Sequence, residues 1–179
     1  MPEAKPHSPS FLKAALLGIG IFVVMYFVII TMNTGDLLWF WSKFQEVPVE
    51  ITVHCYGKDV QVIPGQPAFE AVNTAVNTSL SGNKRWDSLS MSDETYQEYQ
   101  TSPSVMVLEL HYDPSVTIHS QYAFFKDVNW LIIPLDGRHA FTNAVFGVTR
   151  NVTNPGSYHV ESTAPIVTAL QQQGICSKP

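Results

Sequence analysis

AALLGIGIFVVMYFVIITM, residues Ala14 to Met32, is an apolar run with no charge inside it. A helix rises about 1.5 Å per residue, so a run near twenty residues spans the ~30 Å hydrocarbon core of a bilayer. The stretch reads as one transmembrane helix and divides the chain. Residues 1–13 form a short tail, 14–32 the span, 33–46 an aromatic interfacial segment, and 47–179 a single tethered domain.

Lys5 and Lys13 precede the run, with His7 between them and Glu3 as the only acid; Asp36, Lys43 and Glu46 follow it. Lys and Arg favour the cytoplasmic end of a span, which places the N-terminus inside and the domain outside the cytoplasm, in a periplasm or beyond the cell. Trp39, Phe40 and Trp41 come soon after the span. Amphipathic rings prefer the headgroup layer, so these three read as interfacial anchors, or as a continuing helix packed on the domain. A cleaved signal peptide is the rival reading. Its apolar core runs only ~7–15 residues before a small-x-small site, and Thr31-Met32-Asn33 is not such a site. Ala14 and Gly18, with Gly20 nearby, form a small-xxx-small patch that lets two helices approach closely, although such residues are common in any membrane helix.

From Val47 onward there are seven Lys and Arg against twelve Asp and Glu, a net charge of −5. An acidic domain repels phosphate backbones, which argues against nucleic acid as a partner. The two cysteines, Cys55 and Cys176, either bridge in an oxidising compartment or lie apart as buried thiols. A bridge would close about 120 residues, for which loop entropy assigns roughly 4–5 kcal/mol.

Within the domain, Val47 to Cys55 alternates, with Val49, Ile51, Val53 and Cys55 on one face and Glu50, Thr52 and His54 on the other, solvated one. With Val60–Ile63 it makes a hairpin. Phe69, Val72, Val76 and Leu80 follow at helical spacing behind Pro67. Residues 83–104 are polar; Ser92-Asp93-Glu94 either opens a short helix carrying Tyr96 and Tyr99 or belongs to a long loop. Strands are expected at Val105–Tyr112, Val116–His119 after an Asp113-Pro114-Ser115 turn, Val128–Leu135 and Ala144–Thr149. Pro134 lacks an N–H, so its strand must end, bulge or lie at an edge there. Tyr122-Ala123-Phe124-Phe125 reads equally as an exposed aromatic loop or as a further strand. Pro165 opens a last helix with Ile166, Val167 and Leu170 inward and Gly174 as its stop. The class is α+β: a mainly antiparallel sheet with two or three helices packed on one face.

Candidate chemistry is sparse. The six histidines show no metal-ligand spacing. His54 and Cys55 point to opposite strand faces; His111 and His119 flank a turn where a hairpin would bring them together. Asp136-Gly137-Arg138-His139 is the densest polar cluster, able in principle to do acid–base work or clamp an anion, although a turn with solvated Arg and His accounts for it equally simply. Nucleophile elbows, phosphate loops and haem-attachment motifs do not occur. Asn77-Thr78-Ser79 and Asn151-Val152-Thr153 match the glycosylation acceptor, a pattern that chance produces easily. No cofactor, metal or catalytic residue is therefore expected. The reading is a non-enzymatic, membrane-anchored accessory or assembly subunit of a larger membrane complex. The alternatives are a tethered small-ligand binder or sensor, and an enzyme working through Asp136, Arg138 and His139.

Overall fold

The computed structural model describes residues 11–178; the tail charges Glu3, Lys5 and His7 lie outside that range. Among the described residues there are four α-helices and one eight-stranded antiparallel sheet. Helix α1 covers Phe11–Thr34, longer than the quoted run at both ends, and is long and apolar enough to cross a membrane by length and composition. It is exposed all round except for the half-buried Ala15 and a stripe at Phe27, Ile30, Thr31 and Thr34. That i, i+3, i+4, i+7 spacing marks the one side of the helix that something covers.

What covers it is the segment that follows. Helix α1 ends at Gly35, whose φ of 63° suits glycine. The helix does not continue through Leu37–Phe44. Residues 37–40 turn, and Trp39 folds back to sit 5.8 Å from Tyr26 and 6.2 Å from Phe27, ring centre to ring centre. Phe44 is already a buried member of the domain core.

The strands are β1 (Glu50–Cys55), β2 (Lys58–Val62), β3 (Arg85–Asp87), β4 (Met106–Val116), β5 (Val128–Asp136), β6 (Ala144–Thr149), β7 (Val152–Thr153) and β8 (Ser157–His159). They lie in the order β2-β1-β4-β5-β6-β8-β3, with β7 also paired to β6. Helix α2 (Pro67–Leu80) and helix α4 (Ala164–Gln172) touch each other and bury Phe69, Val72, Val76, Leu80, Ile166 and Leu170 in one cluster with Ile51, Val53, Leu108, Leu110, Leu131 and Ile133 of the sheet. Period-2 alternation explains which strand residues these are.

The opposite sheet face corrects the expectation of helices on one side. Helix α3 (Asp93–Thr101), capped at its start by the Ser92 hydroxyl, lies there. Tyr99 joins Val107, Ile132, Phe146 and Met91 in a second, smaller cluster. Both faces of β4 and β5 are therefore buried.

Two local readings also change, and one open alternative is decided. Asp113-Pro114-Ser115 is not a turn between strands but an irregularity inside the eleven-residue β4, where pairing with β5 jumps from His111↔Trp130 to Val116↔Val128. Tyr122–Phe125 is a loop rather than a strand; Phe125 is fully buried, and Phe124 stacks on Trp86 at 5.1 Å. The short strands β3 and β8, unmarked by periodicity, pair across Arg85↔His159. Pro134 faces Val107 at a register shift in the β4–β5 ladder.

Candidate functional site

Asp136, Arg138 and His139 leave the end of β5 in three directions. Asp136 accepts from the Tyr56 hydroxyl at 2.7 Å and from Lys178 Nζ at 2.8 Å. Those bonds hold its carboxyl below the usual range, while burial and the same contact push Tyr56 up to about 12. Arg138 pairs with Glu98 of α3 at 2.9 Å, and the His139 ring meets the Tyr99 hydroxyl at 2.5 Å. Burial, reinforced by the neighbouring guanidinium of Arg138, lowers the His139 pKa. Gly137 holds this turn: its φ is +85°, and a Cβ there would lie 2.8 Å from a Val105 methyl. The loop thus fastens the C-terminus and α3 to the sheet.

Cys55 and Cys176 form a disulfide with Cα atoms 5.8 Å apart, tying the end of β1 to the chain beyond α4. With the Lys178–Asp136 pair it pins the C-terminal segment twice.

The most elaborate polar arrangement is one that the sequence did not mark. His54 is not on a solvated face. It is 5% exposed, because α3 lies over that side of β1 and the Glu109 side chain meets its ring. Its Nε2 lies 2.8 Å from Glu109 Oε2 and its Nδ1 2.7 Å from Asp59 Oδ1. Glu109, itself 6% exposed, takes a 2.8 Å bond from the Tyr96 hydroxyl on its other oxygen. Burial alone would lower the His54 pKa, but the bonds to Glu109 and Asp59 outweigh it and raise it. Only a doubly protonated imidazole donates from both nitrogens, so the chain Asp59–His54–Glu109–Tyr96 is complete in the imidazolium form. One cue was present all the same: within VMVLELHY, Glu109 is the lone acid in a run that is apolar on both faces.

Glu109 also borders a cavity of about 370 Å³ between α3 and the sheet, walled by Met91, Tyr96, Trp130, Ile132 and Val148, with Asp93, Asn151 and Thr153 at its edge. Lys and Arg are missing from this lining. His111 stacks flat on Trp130 at 4.0 Å, as cross-strand partners do; its strand pairs there with β5, not in a hairpin that would set it opposite His119. His119 lies at the joint with α1, where its Nδ1 is 2.9 Å from Asp36 Oδ2. His159 Nδ1 lies 2.9 Å from the Thr142 carbonyl. Ala14 and Gly18 are exposed on α1, with nothing near the position of a Gly18 Cβ. Asn77 lies within α2 and gives its amide to the Glu46 carbonyl; Asn151 is exposed in a turn.

Models of known protein families, curated proteins and solved structures give no match to the chain.

Proposed function

We propose that the chain is a non-enzymatic single-pass membrane protein, an accessory or assembly subunit of a larger membrane complex. The observation that carries this reading is the joint between α1 and the domain. Asp36 and Thr34 are buried there, Asp36 pairs with His119, Trp39 packs back on α1, and Phe44 enters the core only ten residues beyond Thr34. A tether that only needs to keep a domain nearby works best as a flexible linker. A joint held by the Asp36–His119 pair and by aromatic contacts back onto α1 restrains the height and rotation of the domain over the span, which suits lateral docking against other membrane subunits. The domain is read as extracytoplasmic: two flanking lysines before the span favour an inside N-terminus, and the disulfide suits an oxidising compartment. Trp39, Phe40 and Trp41 serve as its interfacial anchors, and Ala14 and Gly18 offer a close-packing patch to a neighbouring helix.

Native mass spectrometry of the tagged full-length protein, gently extracted from its own membranes, tests this. A reproducible stoichiometric assembly is expected, and it should be lost when α1 is replaced by an unrelated apolar span while the domain stays folded. A bare monomer or homodimer in every preparation overturns it.

A second reading, a tethered small-ligand binder, draws on the cavity beside Glu109. Two carboxylates, two aromatic rings and the lack of Lys or Arg suit a neutral or cationic small molecule. Ligand-induced change in Trp130 fluorescence, abolished by Glu109→Gln, would support it. An enzyme reading through Asp136, Arg138 and His139 has the least geometric support, since each side chain is held by a different partner. An unchanged phenotype in the Arg138→Ala, His139→Ala double variant with its fold intact removes that reading.

A further inference from the structure

A second cavity, of about 240 Å³, opens where α1 meets the domain, bordered by Trp39, Phe40, Lys84, His119, Ser120 and Gln121. Its height relative to the span follows from ring contacts. Trp39 sits against Phe27, seven residues before the end of α1, so it lies roughly 10 Å back along the helix axis. With α1 read as a membrane anchor, on which this inference rests, the cavity mouth faces the headgroup layer.

The cavity carries a cation with no acidic counterpart. Lys84 Nζ donates to the carbonyls of Ser42 and Gly82, both at 3.1 Å, and makes no ion pair among the described residues. Burial without a compensating carboxylate lowers its pKa to about 8. Two carbonyls hold the ammonium in place and leave one of its three protons unspent. His119, also on the cavity wall, spends Nδ1 on Asp36, which leaves Nε2 as a further polar atom there. An ammonium held by carbonyls, lacking a carboxylate and set under interfacial rings is built for an anion that arrives from outside the chain.

We infer that this cavity binds the phosphate of an anionic phospholipid headgroup through Lys84, with His119, Ser120 and Gln121 around it and Trp39 and Phe40 against the adjoining glycerol and acyl carbons. Such a lipid would seal the joint and lock the angle between α1 and the domain. The bare phosphate group is the shared chemistry, and free inorganic phosphate is the competing source.

Full-length protein is reconstituted in phosphatidylcholine vesicles with and without phosphatidylglycerol, and bound lipid is counted after extraction by native mass spectrometry. Flotation with pure phosphatidylcholine vesicles reads the anchor by itself; failure to float refutes the anchor and not the cavity. Expected is retained phosphatidylglycerol on wild type, with affinity about tenfold lower in Lys84→Gln and unchanged in Arg85→Gln, an exposed neighbouring charge. Thermal shift in detergent with added inorganic phosphate is the second arm. A Lys84-dependent shift with phosphate alone, and no retained phosphatidylglycerol, overturns the lipid assignment in favour of the free ion. Equal retention in wild type and Lys84→Gln, or none in either with no phosphate response, overturns the site altogether.

Discussion

His54 is the residue whose environment differs most from its sequence context. It is buried between Glu109 and Asp59 with both ring nitrogens engaged. Removing one partner of a buried pair strands the other charge, so Glu109→Ala should cost about 3–5 kcal/mol of unfolding free energy by denaturant titration. The pH dependence follows from the direction of the shift. The His54 pKa is raised on folding, so its contribution is fully present below the unfolded value near 6.5 and fades as pH rises through the folded one. His139 acts oppositely: its folded pKa is lowered, so its contribution is present above 6.5 and fades as pH falls through the folded value. The difference in stability between wild type and Glu109→Gln isolates His54. It should be largest at mildly acid pH and shrink above neutrality; a difference that is flat with pH refutes the imidazolium assignment. Strand alternation placed His54 on the correct side of β1, and what it lacked was knowledge that α3 covers that side. Glu109 and His54 are 55 residues apart, and only the β1–β4 pairing brings them together.

Among the elements, the best-tied is the segment after α4, held by Cys176 to β1 and by Lys178 to Asp136. A loop of about 120 residues makes the disulfide worth up to roughly 4–5 kcal/mol by loop entropy. The Cys55→Ser, Cys176→Ser variant should lose 2–5 kcal/mol, read by chemical denaturation against the oxidised protein. A loss under about 1 kcal/mol would mean that the reduced chain is already restrained there. Lys178→Ala should move the Asp136 titration upward by NMR, because the ammonium is the leading cause of its low pKa. Elements with strong periodicity were legible: α2 from Phe69, Val72, Val76 and Leu80, and β4 and β5 from their apolar runs. The strands β3 and β8, three residues each, were not, since their place is set by pairing with each other and with β6. The interior irregularity of β4 has the sequence of a turn because Asp-Pro-Ser is turn chemistry, while the flanking β4–β5 ladder resumes beyond it.

For the whole molecule, the decisive relation is that between α1 and the sheet. Composition made the long apolar helix plain, and the joint was invisible because it depends on Asp36 meeting His119, 83 residues away. Spin labels on exposed sites of α1 and of α2 should give one narrow distance distribution in vesicles. Asp36→Ala with Phe44→Ala should broaden it while the domain keeps its sheet signature. A broad distribution in wild type would show a loose tether and weaken the case for lateral docking. The cavities beside Glu109 and Lys84 are likewise properties of the assembled molecule, since each draws its walls from segments far apart in sequence.

The cross-link has a mechanical side. A pull applied between α1 and Lys178 runs along the chain to Cys55, crosses the sulfur bridge and leaves through Cys176. The 121-residue interval between the cysteines carries no tension on that path. Stretching the oxidised protein can therefore peel only the joint and β1, a few tens of residues, whereas the reduced protein can release roughly 400 Å more at ~3.5 Å per residue. The domain is a shackled ring on a short shank, able to bear load applied through α1 without paying out its core.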